Sequence, residues 1–164
     1  MQPLSDAVDA RTAFTTAFRL HPAGVAIVAA DGPDGLVGLT VSSLASVAVD
    51  PFAVSFSVTS SRGSAGAVLS ANSIAISLLD ARHVDVARAF AQPGAPRFTP
   101  EQGWTRFDSG EPILEDAHAA LRCVIDSTVA VGSSTLVLAE VIETRLGPAA
   151  APMVYRDRAF HTLD

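Results

Sequence analysis

The most conspicuous gap in this 164-residue sequence is lysine, which does not occur at all. All eleven basic residues are arginines, and they are scattered singly along the chain. Without a lysine side chain, catalysis through a Schiff base or a lysine nucleophile is excluded. The seventeen acidic residues give a net charge of −6, which argues against nucleic-acid binding, because that function needs a dense basic surface.

Cysteine is nearly as scarce, since Cys123 is the only one. A single cysteine excludes an intrachain disulfide and any cysteine-based metal cluster. Its apolar surroundings, Leu121 to Ile125, favour a small buried hydrophobe over a catalytic thiol. The histidines show no ligand spacing, so no metal site is predicted. They are His21, His83, His118 and His161.

Charge of either sign is sparse as well. Charged residues make up 17% of the chain, against about a quarter in typical domains, and the mean hydropathy is +0.35. A chain so short of charge is expected to cover part of its surface with a second subunit, and we predict a homodimer; the alternative is a monomer rich in alanine and valine. The sequence opens with no signal-like segment and contains no apolar run of membrane-spanning length, so a cytoplasmic protein is expected.

Short apolar runs separated by turn residues dominate the chain. They predict strands at 24–30, 36–41, 52–58, 74–79, 119–131, 135–146 and 152–163, and helices within 1–20, 65–71 and 80–91. Ser5 and Asp6 favour the start of the first helix, whereas Ser64 and Asp80 are predicted caps of the other two. This pattern describes one domain over 1–164, an antiparallel barrel from residue 24 onward behind an N-terminal helix, better than a βαβ sheet.

An irregular segment, 92–111, interrupts these elements with prolines, glycines and the only tryptophan, Trp104. So long an irregular stretch inside a domain is usually functional or forms an interface. We therefore expect this segment, together with barrel faces, to pack against the second subunit.

Two loops rich in hydroxyl groups flank the strand predicted at 52–58. Thr40, Ser42 and Ser43 precede it, and the run from Thr59 to Ser64 follows it. Two such loops can converge on one phosphate-sized anion, because short hydroxyls and free backbone N–H groups solvate it without blocking access. The alternative is that both loops are ordinary turns. The dinucleotide-binding glycine pattern, the Walker sequence and the G-x-S-x-G elbow are all absent.

The stretch from Gly38 to Pro51 resembles the G-x-T-x-S-S-x-x-S-V-x-x-D-P signature of the flavin reductase-like family, the short-chain reductase components of two-component flavin monooxygenases. An opening F-x-x-x-P-x-G-V-x-x-V pattern and a closing P-x-V-Y-x-x-R pattern, which ends in Tyr155 and Arg158, agree with it. Phe18, Pro22, Gly24, Val25 and Val28 match the opening pattern. The resemblance implies a mainly β fold, an antiparallel Greek-key split β-barrel with a few short α-helices.

The same resemblance implies an NAD(P)H-dependent FMN reductase that acts as a homodimer and supplies reduced flavin to a partner monooxygenase by diffusion. FAD is the alternative flavin, and NADH and NADPH are the alternative hydride donors. The second hypothesis is a flavin-binding protein of the same fold with little or no reductase activity, acting as a carrier or accessory partner.

The resemblance also implies flavin contacts at the two hydroxyl loops and at Phe98, which either covers one ring face or is a core aromatic. The implied flavin-binding residues are Thr40, Val41, Ser42, Ser43, Ser57, Val58, Thr59, Ser60, Ser64 and Phe98.

No residue is assigned as catalytic with certainty, because the chain departs from the family at one turn. Where the family commonly has Gly-Asp-His, this sequence has Gly132-Ser133-Ser134. The family histidine usually lies beside the flavin where the nicotinamide approaches, so Ser134, with Tyr155, is the expected nicotinamide-side position. We expect its loss to weaken use of the pyridine nucleotide more than flavin binding.

Overall fold

A seven-stranded antiparallel sheet forms the body of the structure, a computed structural model that describes residues 9–163. The strands are β1 (Ala23–Gly24), β2 (Ala26–Gly32), β3 (Gly35–Val41), β4 (Ala45–Val49), β5 (Phe52–Val58), β6 (Ile74–Leu78), β7 (Trp104–Arg106), β8 (Pro112–Leu114), β9 (Ala119–Val131), β10 (Ser134–Leu146), β11 (Met153–Arg156) and β12 (Ala159–Thr162). The helices are α1 (Ala10–Leu20), α2 (Gly63–Ser70) and α3 (Val84–Ala91).

The large sheet has the order β3-β2-β6-β9-β10-β5-β4, and its pairings are antiparallel. A three-stranded sheet, β1-β11-β12, and a two-stranded sheet, β7-β8, complete the fold. The predicted mainly β, antiparallel split barrel is confirmed. The hydroxyl of Ser43, just after the edge strand β3, hydrogen-bonds the backbone of Ser57 on β5, the strand next to the opposite edge of the sheet.

The core lies on both faces of β2, since Ala26 to Ala30 are all buried. Successive side chains of a strand point to opposite faces. Accordingly Val28 packs into a cluster with Phe56, Ile76 and Val137, whereas Ile27 packs into a second cluster. This second cluster also holds Leu79, Ala87, Phe90, Leu114 and Met153. An all-apolar strand is therefore stable here because both of its faces are covered.

Helix α1 buries none of its residues and leaves two aromatic rings exposed. Its described part begins after Asp9, whose side chain accepts a hydrogen bond from the Arg11 backbone, and it ends before His21 as predicted. The predicted start at Ser5 and Asp6 lies outside the described residues. Phe14 and Phe18, 4.9 Å apart between ring centroids, are about two-thirds exposed, at 65% and 64%.

Several predicted boundaries were wrong in detail. The stretch 152–163 is a hairpin, not one strand, because Asp157 and Arg158 adopt positive φ angles and form a two-residue turn between β11 and β12. Helix α2 begins at Gly63 with Arg62 as N-cap, so Ser64 lies in the first turn and is not the cap.

Two further stretches differ from the prediction. The strand predicted at 24–30 is interrupted at Val25, whose carbonyl accepts a hydrogen bond from the Leu79 backbone. The segment 92–111 is only partly irregular, since it contains a 3₁₀ helix (Pro100–Gln102) and β7.

Candidate functional site

The first hydroxyl loop lies at the end of β3, and its side chains have different surroundings. Thr40 donates a hydrogen bond to the Ala87 carbonyl at 2.7 Å, and Val41 is buried in the core. The Ser43 hydroxyl is held by Ser57, with 2.9 Å to its backbone nitrogen and 3.2 Å to its carbonyl oxygen. Ser42 is exposed, and its hydroxyl has no hydrogen-bond partner among residues 9–163. Of this loop's hydroxyls, that of Ser42 is therefore the one available to a ligand.

The second hydroxyl loop lies where β5 ends and α2 begins. Val58 is buried, whereas Thr59 and Ser60 are exposed. The Ser60 hydroxyl accepts a hydrogen bond from the Arg62 backbone at 3.1 Å, and the Ser64 hydroxyl accepts one from Arg97 at 3.2 Å. The hydroxyls of Ser60 and Ser64 are therefore already hydrogen-bonded within the chain.

Arg97, which the sequence analysis did not select, joins three elements near these loops. Its guanidinium donates to Ser64 on α2, to the Gly38 carbonyl on β3 at 2.9 Å, and to the Ala89 and Gln92 carbonyls at 3.3 and 3.0 Å. A planar guanidinium with five N–H donors suits such bridging. The only signal for Arg97 in the sequence was an isolated arginine beside Phe98 in a proline-rich segment. This signal could not indicate its role, because two of its partners, Gly38 and Ser64, are distant in the sequence.

Phe98 packs in an aromatic cluster. Its ring centroid lies 4.9 Å from that of Phe90 and 4.6 Å from that of Trp104. A Cβ added to Gly38 would meet Phe90 at 2.8 Å and Phe98 at 3.2 Å, so the glycine of the signature is required by this close approach. The rings therefore press against β3 directly before the first hydroxyl loop.

Two neighbouring clefts open beside Ser42. The first, of about 1040 Å³, lies between α1 and the end of β3; we call it the α1 cleft. The second, of about 450 Å³, lies between α3 and the β11–β12 hairpin; we call it the α3 cleft. Ser42, Tyr155 and Arg158 line both clefts. Pairing of Ala23 in β1 with Tyr155 in β11 brings the C-terminal hairpin to this position.

The described residues that line the two clefts include no Asp or Glu, although acidic residues outnumber basic ones in the chain. Three arginines line them instead: Arg19, Arg88 and Arg158. Hydroxyls of Thr12 and Thr16 add neutral hydrogen-bonding groups, whereas those of Thr15 and Thr40 already donate to backbone carbonyls. Volumes near the range of small-molecule sites, with hydroxyl and cationic donors and no carboxylate, fit an anionic nucleotide.

The other predicted site residues lie apart from these clefts. Neither cleft is lined by Ser57, Val58, Thr59, Ser60, Ser64, Phe98 or Ser134. Ser134 begins β10 opposite Val131, and the next residue, Thr135, pairs with Val58. The Gly132–Ser133 turn is thus at the same end of the sheet as the second hydroxyl loop. Within one chain, Ser134 and Tyr155 do not share a cleft.

The buried carboxylate of Glu111 is paired, whereas the buried thiol of Cys123 is not. Burial alone would raise the pKa of Glu111, but hydrogen bonds from Ser109, Ser73 and Arg122 outweigh it and hold the pKa at about 2. The Arg122 Nε atom lies 2.9 Å from a Glu111 carboxylate oxygen. Burial raises the pKa of the Cys123 thiol to about 12, as expected for an inert side chain.

A second paired cluster surrounds His83, whose ring lies between two carboxylates. The distances are 3.1 Å to Asp80 and 2.9 Å to Asp116. Burial would raise the pKa of Asp80, but hydrogen bonds from Arg82 and the charges of His83 and Arg82 lower it. The pKa of Asp116 is lowered mainly by its hydrogen bond with His83. Asp80 caps the 3₁₀ turn Ala81–His83 and not α3, whose N-cap is His83, so the predicted helix over 80–91 is divided into two elements.

Metal and membrane features are absent from the part of the chain that the structure describes. No group of three or more His, Cys, Asp or Glu side chains within 9–163 is arranged to hold a metal ion. No helix over the same residues combines the length and apolarity needed to cross a membrane.

Comparison with known proteins agrees with the fold. Residues 18–164 match the family described as flavin reductase like domain. The chain is 34% identical over 152 residues to the NADH:FMN oxidoreductase of Rhodococcus qingshengii, covering 90% of this chain and 79% of that protein. The chain therefore belongs to the flavin reductase-like family.

Solved structures of similar proteins superpose closely. The NADH:FAD oxidoreductase of Streptomyces globisporus C-1027, in complex with NAD and FAD fragments, is 27% identical with a TM-score of 0.86, covering 98% of both chains. The styrene monooxygenase flavin reductase of Pseudomonas putida S12 is 28% identical with a TM-score of 0.82, covering 92% of this chain and 97% of that one.

Proposed function

We propose that this protein is an NAD(P)H-dependent flavin reductase that supplies reduced flavin to a partner monooxygenase. Family membership over residues 18–164 carries the proposal. Similarity to an NADH:FMN oxidoreductase and to the flavin reductase of a styrene monooxygenase supports the reaction and the type of partner. FMN is the proposed flavin, with FAD as the alternative.

The proposed flavin site uses both hydroxyl loops. Ser42 offers a free hydroxyl, whereas Val41 and Val58, whose side chains are buried, would contribute backbone groups only. Exposed Thr59 and Ser60, beside the N-terminus of α2, are proposed to hold the flavin phosphate. Thr40, Ser43, Ser57, Ser64 and Phe98 are proposed to shape this site, since each already contacts its own chain.

Hydride transfer from a nicotinamide to a flavin requires few reactive side chains. When bound, a flavin supplies a ring that accepts a hydride from a reduced nicotinamide. The chain has only to hold two planar ligands in contact and exclude water, and no general acid is strictly required. Tyr155, between the two clefts, is proposed to lie on the nicotinamide side.

The proposed function is tested by a visible absorption spectrum with FMN, followed by an assay of NADH and NADPH oxidation. Purified protein mixed with FMN should change the flavin's visible absorption and should oxidise NADH or NADPH only when flavin is added. A protein that binds FMN but is inert to both donors would instead support the carrier or accessory hypothesis. A protein that binds no flavin would contradict both.

We further propose a homodimer, supported by an apolar surface on β4, β5, β9 and β10. Val49 is 82% exposed and Phe52 63% exposed, and further exposed apolar side chains belong to the same strands: Val47, Val129, Val131 and Leu136. Large apolar side chains exposed on neighbouring strands are typical of an interface, and here Val49 pairs directly with Phe52 and Val129 with Leu136. In the irregular segment, Phe98, Trp104 and Phe107 pack inside their own chain, so the proposed contact of this segment with the second subunit would use its other residues.

Light scattering should give the dimer mass, and Phe52→Glu should shift it to the monomer. Thr162→Glu, at an exposed polar position on β12 outside these four strands, is the matched charge control. A wild-type monomer at micromolar concentration would contradict the dimer. A cytoplasmic location belongs to the same proposal, because the proposed donors are cytoplasmic metabolites, and cell fractionation tests it.

A further inference from the structure

Arg158 occupies a backbone position that disfavours its side chain. Asp157 and Arg158 are the two central residues of the β11–β12 turn, with φ angles of 51° and 62°. Two-residue hairpin turns with positive φ at both positions strongly prefer glycine at the second. A non-glycine residue in this region is uncommon and carries a conformational cost, and such residues concentrate at binding sites.

The turn is held in place by contacts that do not involve the Arg158 side chain. The Asp157 backbone donates to the Arg19 carbonyl at 2.7 Å, and the Asp157 carboxylate lies 3.2 Å from Arg19 Nε. The Arg156 side chain donates to the Leu20 carbonyl at 2.9 Å. The C-terminus of α1 thus fixes the hairpin, and the guanidinium of Arg158 is not needed for that purpose.

Arg158 is also the cleft arginine without an acidic partner in the described chain. Arg19 pairs with Asp157 and Arg88 with Asp85, at 3.2 and 3.3 Å. No hydrogen bond or ion pair within residues 9–163 involves the Arg158 guanidinium, which lines both clefts beside Ser42 and Tyr155. An arginine presented without a partner in clefts free of carboxylates is suited to bind phosphate.

The position of this arginine favours a ligand other than the flavin phosphate. The second hydroxyl loop and the N-terminus of α2, where we place that phosphate, line neither cleft. A second phosphate-bearing ligand is needed in the proposed reaction, namely the pyridine dinucleotide. We propose that Arg158 binds the phosphate groups of this dinucleotide and determines the affinity for it; the proposal rests on the proposed reductase function.

The test uses Arg158→Gly, which removes the guanidinium and supplies the residue that the turn prefers. We expect KM for the dinucleotide donor to rise about 10- to 100-fold with little change in kcat, as for the loss of a charge-assisted hydrogen bond. KM for 1-benzyl-1,4-dihydronicotinamide, a donor without phosphate, should not change, nor should the Kd for FMN. The Tm should stay the same or rise by about 1–4 °C, because the strained turn is relieved.

A binding measurement provides a readout that does not depend on turnover. NAD⁺ or NADP⁺ at fixed concentration should raise the Tm of the wild type more than that of Arg158→Gly. Arg158→Lys should be intermediate, since it keeps the charge but not the planar fork. Arg11→Gln removes an exposed arginine from α1 that lines neither cleft and is the control for the change in net charge.

The outcomes separate this proposal from the proposed function. An active wild type whose KM for the dinucleotide is unchanged in Arg158→Gly would overturn the role of Arg158 only. Equal losses with both donors, or a lower Tm, would show a structural role and also overturn it. Weaker binding of FMN but not of riboflavin, with unchanged dinucleotide KM, would assign Arg158 to the flavin phosphate and overturn the donor assignment. A wild type that neither reduces flavin nor binds a dinucleotide would contradict both proposals.

Discussion

Two polar regions of this molecule use similar side chains in opposite ways. Around Glu111, each polar side chain has a partner within the chain, because Ser73, Ser109 and Arg122 all hydrogen-bond the Glu111 carboxylate. Along the cleft wall, Ser42 and Arg158 have no such partners within residues 9–163. Paired polar groups mainly stabilise the fold, whereas unpaired groups facing a cleft are available to a ligand. The two regions should therefore respond differently to mutation.

The largest effect is expected on the paired side, from Glu111→Gln. The variant should lose about 2–3 kcal/mol of unfolding free energy at pH 7, because the carboxylate's folded-state pKa is far below its ordinary value. A lowered pKa means that this contribution is complete above pH 4.5 and is lost as the pH falls through about 2. Urea unfolding at several pH values measures this, and a difference that persists unchanged at pH 2 would contradict the ion-pair explanation. FMN affinity should not change.

The next prediction concerns the turn before β10, which lines neither cleft. Replacing Ser133 with Asp and Ser134 with His restores the family sequence. We expect kcat/KM for NADH to rise about 10²-fold, since an orienting or acid–base imidazole typically contributes that much, while the Kd for FMN stays nearly constant. Steady-state kinetics and flavin titration measure the two quantities.

Two other outcomes of that double substitution would change the interpretation. A modest gain would indicate that another residue, such as Tyr155, orients the donor. No gain, in a protein already inert to NADH and NADPH, would favour the accessory flavin-binding hypothesis.

Arg97 combines features of the two regions, because its guanidinium donates four hydrogen bonds within the chain and yet lies close to the hydroxyl loops. Arg97→Gln should lower the unfolding free energy by about 2 kcal/mol, since it leaves carbonyls of Gly38 and Gln92 without their donor. Arg62→Gln, at an exposed loop position, is the control and should have almost no effect on stability. Thermal unfolding of the two variants, measured side by side, tests this prediction. Equal Tm values would show that the hydrogen bonds of Arg97 contribute little to stability.

The smallest effect is expected from Ser42→Leu. It should weaken FMN binding about 10-fold at unchanged Tm, because one hydrogen bond to the ligand is lost and no contact within the chain is broken. Ser64→Leu should lower the Tm as well, because Ser64 accepts a hydrogen bond from Arg97. Fluorescence titration with FMN measures the affinities. Unchanged affinity in the double variant would mean that the flavin binds elsewhere.

Local signals in the sequence were sufficient for most of the fold. Strand β5 and strand β9 have the predicted bounds, and proline after His21 ends α1 where expected, because turn chemistry and apolar periodicity act over a few residues. The family signature at 38–51 likewise led to the right family, confirmed by the match over 18–164. The hairpin at 153–162 was missed because its turn uses Asp157 and Arg158 in a conformation that normally indicates glycine.

The availability of each polar group was decided by the tertiary structure alone. Ser42, Ser43 and Ser64 are the same residue type in similar loops, yet only contacts with distant residues show that two of them are engaged and one is free. Tyr155 reaches Ser42 because β11 pairs with β1, more than 130 positions earlier in the chain. Hydrogen bonding and burial depend on such long-range pairings, whereas sequence patterns report only local preferences. The sequence by itself therefore determined the elements and the family, and the packing of those elements determined which side chains face the clefts.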